Sequence, residues 1–136
     1  MKPYIHRVQY YETDRMGITH HSNYIRWMEE ARVAFLEEID WDYDRLEAEG
    51  VVSPVLSVDG HFQKRTTFGD EVEITAMLKE YRGIRIVLEY EMKNCATGET
   101  VFVGTSEHCF LDGNGRPARM KSVLPEFDKK LKELVI

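Results

Sequence analysis

The clearest structural pattern of the sequence lies in residues 11–39, YETDRMGITHHSNYIRWMEEARVAFLEEI. From 23 to 39 its apolar residues recur at helical spacing, and neither Gly nor Pro interrupts them. The sequence therefore predicts one long helix, with Ser22 or Asn23 as its N-cap. The predicted apolar face comprises Tyr24, Trp27, Met28, Ala31, Phe35 and Ile39. A face this broad requires a sheet to pack against.

The segments on either side of this helix predict that sheet. Residues 4–12, YIHRVQYYE, mix aromatic and β-branched residues as strands do. Further candidate strands follow at 51–64, 70–80, 84–93 and 99–111. The short turns between them favour antiparallel neighbours, because a parallel pair needs a long crossover. A short helical segment at 41–49 ends at Gly50, and a closing helix begins at Pro125. The pattern predicts an α+β fold with the long helix on a curved antiparallel sheet.

The composition restricts the class of protein. The chain has 136 residues, of which 43% are hydrophobic and 31% charged, which predicts a single domain spanning residues 1–136. No run approaches the ~18 apolar residues of a membrane helix, and the N-terminus lacks the apolar core of a signal peptide. Cys95 and Cys109 are too few for a disulfide framework, so the cytoplasm is the expected compartment. A net charge of −6 argues against nucleic-acid binding.

The loop before the long helix carries groups that could do chemistry. Asp14 precedes Gly17, and His20 and His21 lead into a helix N-terminus, whose free N–H groups stabilise an oxygen that becomes negative. Acyl transfer needs such donors at the carbonyl and a carboxylate or an activated water on its other face. The residues alone leave a second interpretation open, in which Asp14 only caps a turn. A metal site at these side chains is disfavoured, because adjacent side chains rarely converge on one ion.

The spacing of these residues matches a known family. The run Tyr11-x-Thr13-Asp14-x-x-Gly17-Ile18-x-x-His21-x-x-Tyr24-x-x-Trp27-x-Glu29-x-Ala31-Arg32 resembles the signature of hotdog-fold acyl-CoA thioesterases, specifically the 4-hydroxybenzoyl-CoA thioesterase family. The turn at 68–70 and the segment at 110–117 match as well, so the resemblance covers nearly the whole chain. The chain departs from the family at Arg65, where a Pro is usual. The resemblance implies a hotdog fold and an acyl-thioester hydrolase.

The same resemblance implies roles for individual residues. Asp14 is then the catalytic carboxylate, which either attacks the thioester carbonyl or activates water. The N–H of His21 polarises the carbonyl oxygen, and Gly17 lets the loop pass close to the thioester. The substrate is an acyl-CoA or an acyl carrier protein thioester, whose phosphates need local positive charge on an acidic protein. The candidate substrate-binding residues are Tyr24, Arg82, Arg85 and Arg116. This chemistry requires neither a metal nor a cofactor.

Two other functions stay open. An enoyl-thioester hydratase or dehydratase also uses the hotdog fold, although such enzymes usually place a His, rather than an Asp, ahead of the helix. A non-catalytic acyl-CoA binder would keep the pocket without the reaction. Glu29 is interpreted either as the ion-pair partner of Arg32 or Arg26, or as a second carboxylate in the pocket. The resemblance and a free sheet edge together predict a homodimer or homotetramer, with the pocket between subunits.

Overall fold

The computed structural model describes residues 2–136 and has the predicted α+β architecture. Five antiparallel strands form one sheet in the order β1-β3-β4-β5-β2, and a long helix packs on one face of it. In chain order the elements are β1 (Tyr4–Arg7), a 3₁₀ turn (Tyr10–Glu12), α1 (Ser22–Glu38), α2 (Tyr43–Ala48), β2 (Val55–Phe62), β3 (Glu71–Tyr81), β4 (Arg85–Asn94), β5 (Thr100–Cys109), α3 (Met120–Val123) and α4 (Pro125–Leu134).

The inward faces of the long strands supply the core. Along β3, β4 and β5, buried residues alternate with more exposed ones, as expected for strands with one face on a helix and the other towards solvent. All six residues of the predicted apolar face are buried; five lie in α1, and Ile39 directly follows its end. Burying a large apolar side chain contributes about 1.5–3 kcal/mol, so this face is what holds the helix on the sheet.

The first strand is shorter than the sequence predicts. Val8 still faces the core, and its N–H donates to the carbonyl of Asp70 at 2.8 Å, but β1 has already ended at Arg7. The carboxylate of Glu12 accepts a hydrogen bond from the N–H of Gln9 at 2.8 Å, which fixes a turn where an extended chain was expected. The prediction of a strand over 4–12 is therefore wrong beyond Arg7, because this side-chain-to-backbone bond outweighs the strand propensity of the two tyrosines.

Two other predicted boundaries also move. β2 covers Val55–Phe62 rather than 51–64. The long helix begins at Ser22, with His21 at the cap position in a helical conformation and with no side chain capping it. The predicted N-cap role of Ser22 or Asn23 is wrong, because the Asn23 amide donates to the carbonyls of Glu12 and His20 instead.

Two glycines face each other across β2 and β5. Gly60 pairs with Gly104, and a Cβ on Gly60 would lie 2.2 Å from Cζ of Phe102. A Cβ on Gly104 would lie 2.7 Å from the carbonyl oxygen of Asp59. The absence of both side chains lets the ring of Phe102 pack beneath β2, where it stacks on Tyr24 with ring centroids 5.2 Å apart.

A chain of polar side chains crosses the core under β4 and β5. Arg32 donates to the hydroxyls of Tyr43 at 2.9 Å and Tyr90 at 3.1 Å. The Tyr90 hydroxyl lies 2.7 Å from Oγ of Ser106, which lies 2.7 Å from Nε2 of His108. Burial, together with the nearby Arg32 cation, lowers the pKa of His108 to about 4. The imidazole of His108 is therefore neutral at pH 7.

Candidate active site

Asp14 begins a tight hairpin between the 3₁₀ turn and α1. Its N–H donates to the carbonyl of Ile18 at 2.8 Å, and its own carbonyl accepts from the N–H of Gly17 at 3.0 Å. Gly17 has φ of 77°, a left-handed conformation that side-chain-bearing residues rarely adopt. One oxygen of the Asp14 carboxylate accepts the N–H of Met16 at 2.8 Å. The other oxygen forms no hydrogen bond within residues 2–136, so this half-buried carboxylate keeps an oxygen for a ligand.

The hairpin is bonded to the connection between β2 and β3. The N–H of Thr19 donates to the carbonyl of Thr66 at 2.9 Å, and the two threonine hydroxyls lie 2.6 Å apart. The hydroxyl of Thr67 donates to the carbonyl of Gly17 at 2.6 Å. The hydroxyl of Tyr24, on α1, lies 2.9 Å from that of Thr66. The hairpin and α1, which are neighbours in sequence, therefore meet the β2–β3 connection at Thr66, 47 residues beyond Thr19.

His21 lies where the hairpin joins α1. Its carbonyl already accepts the N–H of Tyr24, at 3.3 Å. The N–H groups of the next two residues are used locally, by Nδ1 and the carbonyl of His20. The N–H of His21 itself has no acceptor in the described part of the chain. It is a donor at a helix N-terminus, where the backbone dipoles favour a negative charge.

Asp14 and His21 line the same cleft, which has a volume of about 310 Å³. Tyr24, one of the predicted substrate-binding residues, lines it too, whereas Gly17 shapes the hairpin without lining the cleft. The complete lining is Asp14, Met16, Ile18, Thr19, His21, Tyr24, Phe62, Gln63, Lys64 and Arg65. The structure therefore brings together the carboxylate, the helix start and one predicted contact residue.

Aromatic rings form one wall of this cleft. Phe62 packs edge-on against Tyr24, with centroids 5.3 Å apart, and against His21 at 6.4 Å. Burial raises the pKa of Tyr24, although its bonds to Thr66 and Thr19 act in the opposite direction. The Tyr24 hydroxyl therefore stays protonated and contributes a surface rather than a base.

The three predicted substrate-binding arginines lie at the opposite end of the sheet. Arg85 pairs with Cys109 at one end of β5, whereas the cleft residue Phe62 pairs with Phe102 at the other. Those seven residues of strand correspond to roughly 24 Å at ~3.4 Å per residue. Arg85 forms an ion pair with Glu107, and Arg82 lies 3.9 Å from Glu80. Arg116 follows in the turn at 112–116, next to the same end of β5. One chain alone does not bring these arginines to Asp14.

Two basic residues at the cleft were not among the predicted site residues. In the sequence Lys64 and Arg65 form a basic pair, and Arg65 was noted only as the position where the family usually has a Pro. In the structure both line the cleft directly after β2, with Lys64 in an exposed ion pair with Glu99 at 3.7 Å. Their side chains come from a segment about 50 residues after Asp14, so no local pattern could have placed them there. Glu29 does not line the cleft; its nearest cation is Arg32, at 4.0 Å.

A metal site and a membrane helix each make definite requirements of the described residues. Among residues 2–136, no three His, Cys, Asp or Glu side chains are grouped so that they could hold a metal ion. In the same part of the chain, no helix is long and apolar enough to cross a membrane. The available chemistry is one carboxylate, one unpaired amide donor, two cations and an aromatic wall.

The family model and a similar curated sequence indicate the same protein family. The sequence model of the thioesterase-like superfamily matches residues 8–133. The protein named "Putative acyl-CoA thioesterase YneP" from Bacillus subtilis (strain 168) is 32% identical over 121 residues, covering 88% of this chain and 87% of that protein.

Solved structures agree with the sequence match. A DHNA-CoA thioesterase from Staphylococcus aureus superposes with a TM-score of 0.91 at 26% identity, covering 97% of this chain and 89% of that one. The hypothetical protein TT1821 from Thermus thermophilus gives a TM-score of 0.88 at 32% identity, covering 98% and 99%. The predicted hotdog fold and the predicted enzyme class are confirmed. The chain belongs to the thioesterase-like superfamily and is a thioester hydrolase.

Proposed function

We propose that this chain hydrolyses acyl-CoA thioesters and that Asp14 is its catalytic carboxylate. The observation that carries the proposal is a single cleft lined by the Asp14 carboxylate and by His21, whose N–H is free at the start of α1. The names of the Bacillus and Staphylococcus relatives, both thioesterases of CoA esters, support the same substrate class.

The reaction needs little beyond these groups. As the carbonyl carbon is attacked, its oxygen gains negative charge, and the N–H of His21 donates to that oxygen. The carbon–sulfur bond then breaks and CoA leaves as a thiolate. The pKa of a thiol is about 8–9, so the thiolate departs without a strong general acid. The free acid and CoA are the products.

Asp14 can act in two ways. As a nucleophile it forms a mixed anhydride with the acyl group, which water then opens; as a general base it takes a proton from the attacking water. Rapid quenching with enzyme in excess, in water enriched in ¹⁸O, separates the two routes. An acyl group or ¹⁸O on the peptide that contains Asp14 identifies the nucleophile. A peptide that carries neither acyl group nor ¹⁸O at any reaction time, including the earliest turnover of an acyl group whose anhydride hydrolyses slowly, favours the general base.

The substrate assignment is tested with a panel of thioesters. Aromatic, short-chain and long-chain acyl groups are offered on CoA and on acyl carrier protein, and the released thiol is measured. We expect turnover of at least one acyl-CoA, with kcat/KM higher on CoA than on the carrier protein. Hydration of an enoyl-CoA without thiol release, or stoichiometric binding without turnover, would contradict the proposal.

The proposal includes a homodimer formed through β2. This strand lies at the edge of the sheet and is exposed along most of its length, including Val55, Leu56, Val58 and Phe62. An isologous pair of β2 strands would run antiparallel, so the Val55 end of one copy would lie beside the Phe62 end of the other. The Val55 end of β2 pairs with His108 of β5, and the next residue of β5, Cys109, pairs with Arg85. The arginines of one copy would then reach the Asp14 cleft of the other, where CoA phosphates need cations.

Complementation between two damaged copies tests this shared site. Asp14→Asn removes the carboxylate, and Arg116→Ala removes the cation that the other copy would contribute. Neither variant alone is expected to be fully active. Coexpressed, half of the random dimers are mixed and each carries one intact site, so about a quarter of wild-type activity is expected. Activity no higher than the mean of the two separate variants would contradict a site shared between copies.

A further inference from the structure

A buried carboxylate that the proposed reaction does not use lies two residues before Asp14. Glu12 is only 4% exposed. Its Oε1 accepts the N–H of Gln9 and Nε2 of His6, both at 2.8 Å, and its Oε2 accepts the indole N–H of Trp27 at 2.8 Å. Burying an ionised carboxylate is costly unless hydrogen bonds compensate it, so three donors on one buried side chain call for an explanation.

The surroundings of Glu12 favour its ionised form. Burial by itself would raise the pKa of this carboxyl. The hydrogen bonds from Gln9, His6 and Trp27 outweigh burial and hold the pKa below its ordinary value. Glu12 is therefore a carboxylate at neutral pH, and each of its bonds is charge-assisted.

His6 connects Glu12 to the long helix. Its second ring nitrogen, Nδ1, lies 3.0 Å from Oε1 of Glu30, which also accepts the hydroxyl of Tyr4 at 2.6 Å. One ring nitrogen of His6 thus faces Glu12 and the other faces Glu30. The imidazole also packs on Trp27, with ring centroids 4.6 Å apart. Glu12 is thus held from β1 through His6 and from α1 through Trp27.

The main chain of Glu12 is connected both to the Asp14 carboxylate and to the segment that holds the N–H of His21. Its carbonyl accepts the N–H of His20 at 2.8 Å and the side-chain amide of Asn23 at 2.9 Å. His20 directly precedes the residue whose N–H faces the substrate carbonyl, and Asp14 follows Glu12 by two residues. A displacement of Glu12 therefore moves the carboxylate and the amide donor relative to each other.

We propose that Glu12 is a positioning residue that fixes the distance between the Asp14 carboxylate and the N–H of His21, with His6 and Trp27 holding it in place. The inference rests on the proposed function of Asp14. Glu12 does not touch the substrate, since it does not line the cleft. Its effect should appear in kcat rather than in KM, because a small misplacement of reacting groups weakens only interactions made in the transition state.

The test compares Glu12→Gln with a matched control. Glutamine keeps the size of the side chain but replaces one oxygen with an NH₂ group, which then faces a donor. The control is Asp128→Asn on α4, where another buried carboxylate accepts the hydroxyl of Tyr81 and pairs with Lys132 at 3.0 Å, away from the cleft. We expect Glu12→Gln to lower kcat about 10–100-fold with KM changed less than about twofold, and Asp128→Asn to lose stability without changing kcat. Equal effects of the two variants on kcat would show that Glu12 is merely structural and would overturn the proposal.

A readout that does not depend on turnover accompanies this comparison. Amide hydrogen exchange at Asp14 and His20 should accelerate at least tenfold in Glu12→Gln and stay unchanged in Asp128→Asn. If Glu12→Gln does not fold, His6→Gln, which removes one of the three donors, replaces it in both measurements. If the wild type hydrolyses no thioester, the proposed function fails, and the exchange rates still show whether Glu12 fixes the hairpin. Unchanged exchange at both amides would contradict the positioning role.

Discussion

The two edge strands of the sheet differ in length, polarity and surroundings. β1 has four residues, and beyond its end the chain turns back into a cluster of buried hydrogen bonds around Glu12. β2 has eight residues, and Val55, Leu56 and Val58 are 37–49% exposed although they are apolar. Natural sheets protect their edges with short or charged strands. By this criterion β1 is a protected edge, whereas β2 is an unprotected edge with which another strand could pair.

The difference separates two tasks in one small fold. Both edges lead into the Asp14 cleft: the hairpin follows β1, and Lys64 and Arg65 follow β2. The β1 side fixes polar groups in place through bonds inside one chain. The β2 side exposes backbone and apolar surface that a second copy could cover. Four substitutions test whether the two sides have these separate tasks.

The first change removes the carboxylate on the β1 side. Asp14→Asn should lower kcat about 10²–10⁴-fold, because an amide is neither a competent nucleophile nor a general base. Asp42→Asn is the matched control, since Asp42 likewise accepts a single backbone N–H, that of Arg45 at 2.8 Å, but at the start of α2. Thiol release and thermal unfolding are measured for both. If Asp14 only caps a turn, the two variants will behave alike.

The second change concerns pH and the core beside the start of β2. His108 pairs with Val55 and has its pKa lowered to about 4 from 6.5. Between pH 6.5 and about pH 4, His108 is therefore protonated in the unfolded state but neutral in the folded state. Stability should fall by about 3 kcal/mol as the pH drops through this window.

The measurement is urea unfolding at pH 7 and pH 5. His108→Gln should have lower stability at pH 7 and a smaller loss between the two values, because the titrating group is gone. His61→Gln, which replaces an exposed histidine on β2, should keep the wild-type pH dependence. A pH dependence in His108→Gln equal to that of the wild type would assign the titration to other groups.

The third change fills the space between β2 and the buried ring of Phe102. Gly60→Ala places a Cβ 2.2 Å from the ring of Phe102, so either the ring or the strand must shift. Overpacking of this kind costs about 1–3 kcal/mol, measured as the free energy of unfolding. Gly113→Ala, at a position with no heavy atom within 4 Å of the added Cβ, should change stability by less than about 0.5 kcal/mol.

The fourth change tests the two edges against each other. Val58→Lys puts a charge on β2, and Ile5→Lys puts the same charge on β1, at side chains that are 37% and 45% exposed. Sedimentation should show at least a tenfold weaker dimer for Val58→Lys and no change for Ile5→Lys. Weakening by Ile5→Lys instead would place the interface on the other edge.

Much of the fold was predictable because its signals are periodic. The apolar face of α1 and the alternation along β3, β4 and β5 follow from residue spacing alone. The end of β1 did not follow, since Tyr10 and Tyr11 have strand propensity and are 75% and 82% exposed outside the strand. What ends the strand is a single bond from Gln9 to the carboxylate of Glu12, which propensity does not report.

The candidate site likewise has a part that the sequence predicts and a part that it does not. Asp14, Gly17, His21 and Tyr24 lie within eleven residues, so one motif could predict that they come together. Lys64 and Arg65 come from a distant segment, which lies at the cleft where Thr66 bonds to Thr19 across the fold. The remote arginines match the chemistry of a phosphate-bearing ligand, but a single chain holds them at the far end of β5.

The bonds at Thr66 have a consequence for the speed of substrate entry. They join the Asp14 hairpin, α1 and the segment carrying Lys64 and Arg65, so opposite walls of the cleft are fixed to one another. A cleft with joined walls has no lid whose opening must precede binding, which in other enzymes takes microseconds to milliseconds. Association should then follow diffusion and local charge, and slow with added salt as the cations at the mouth are screened.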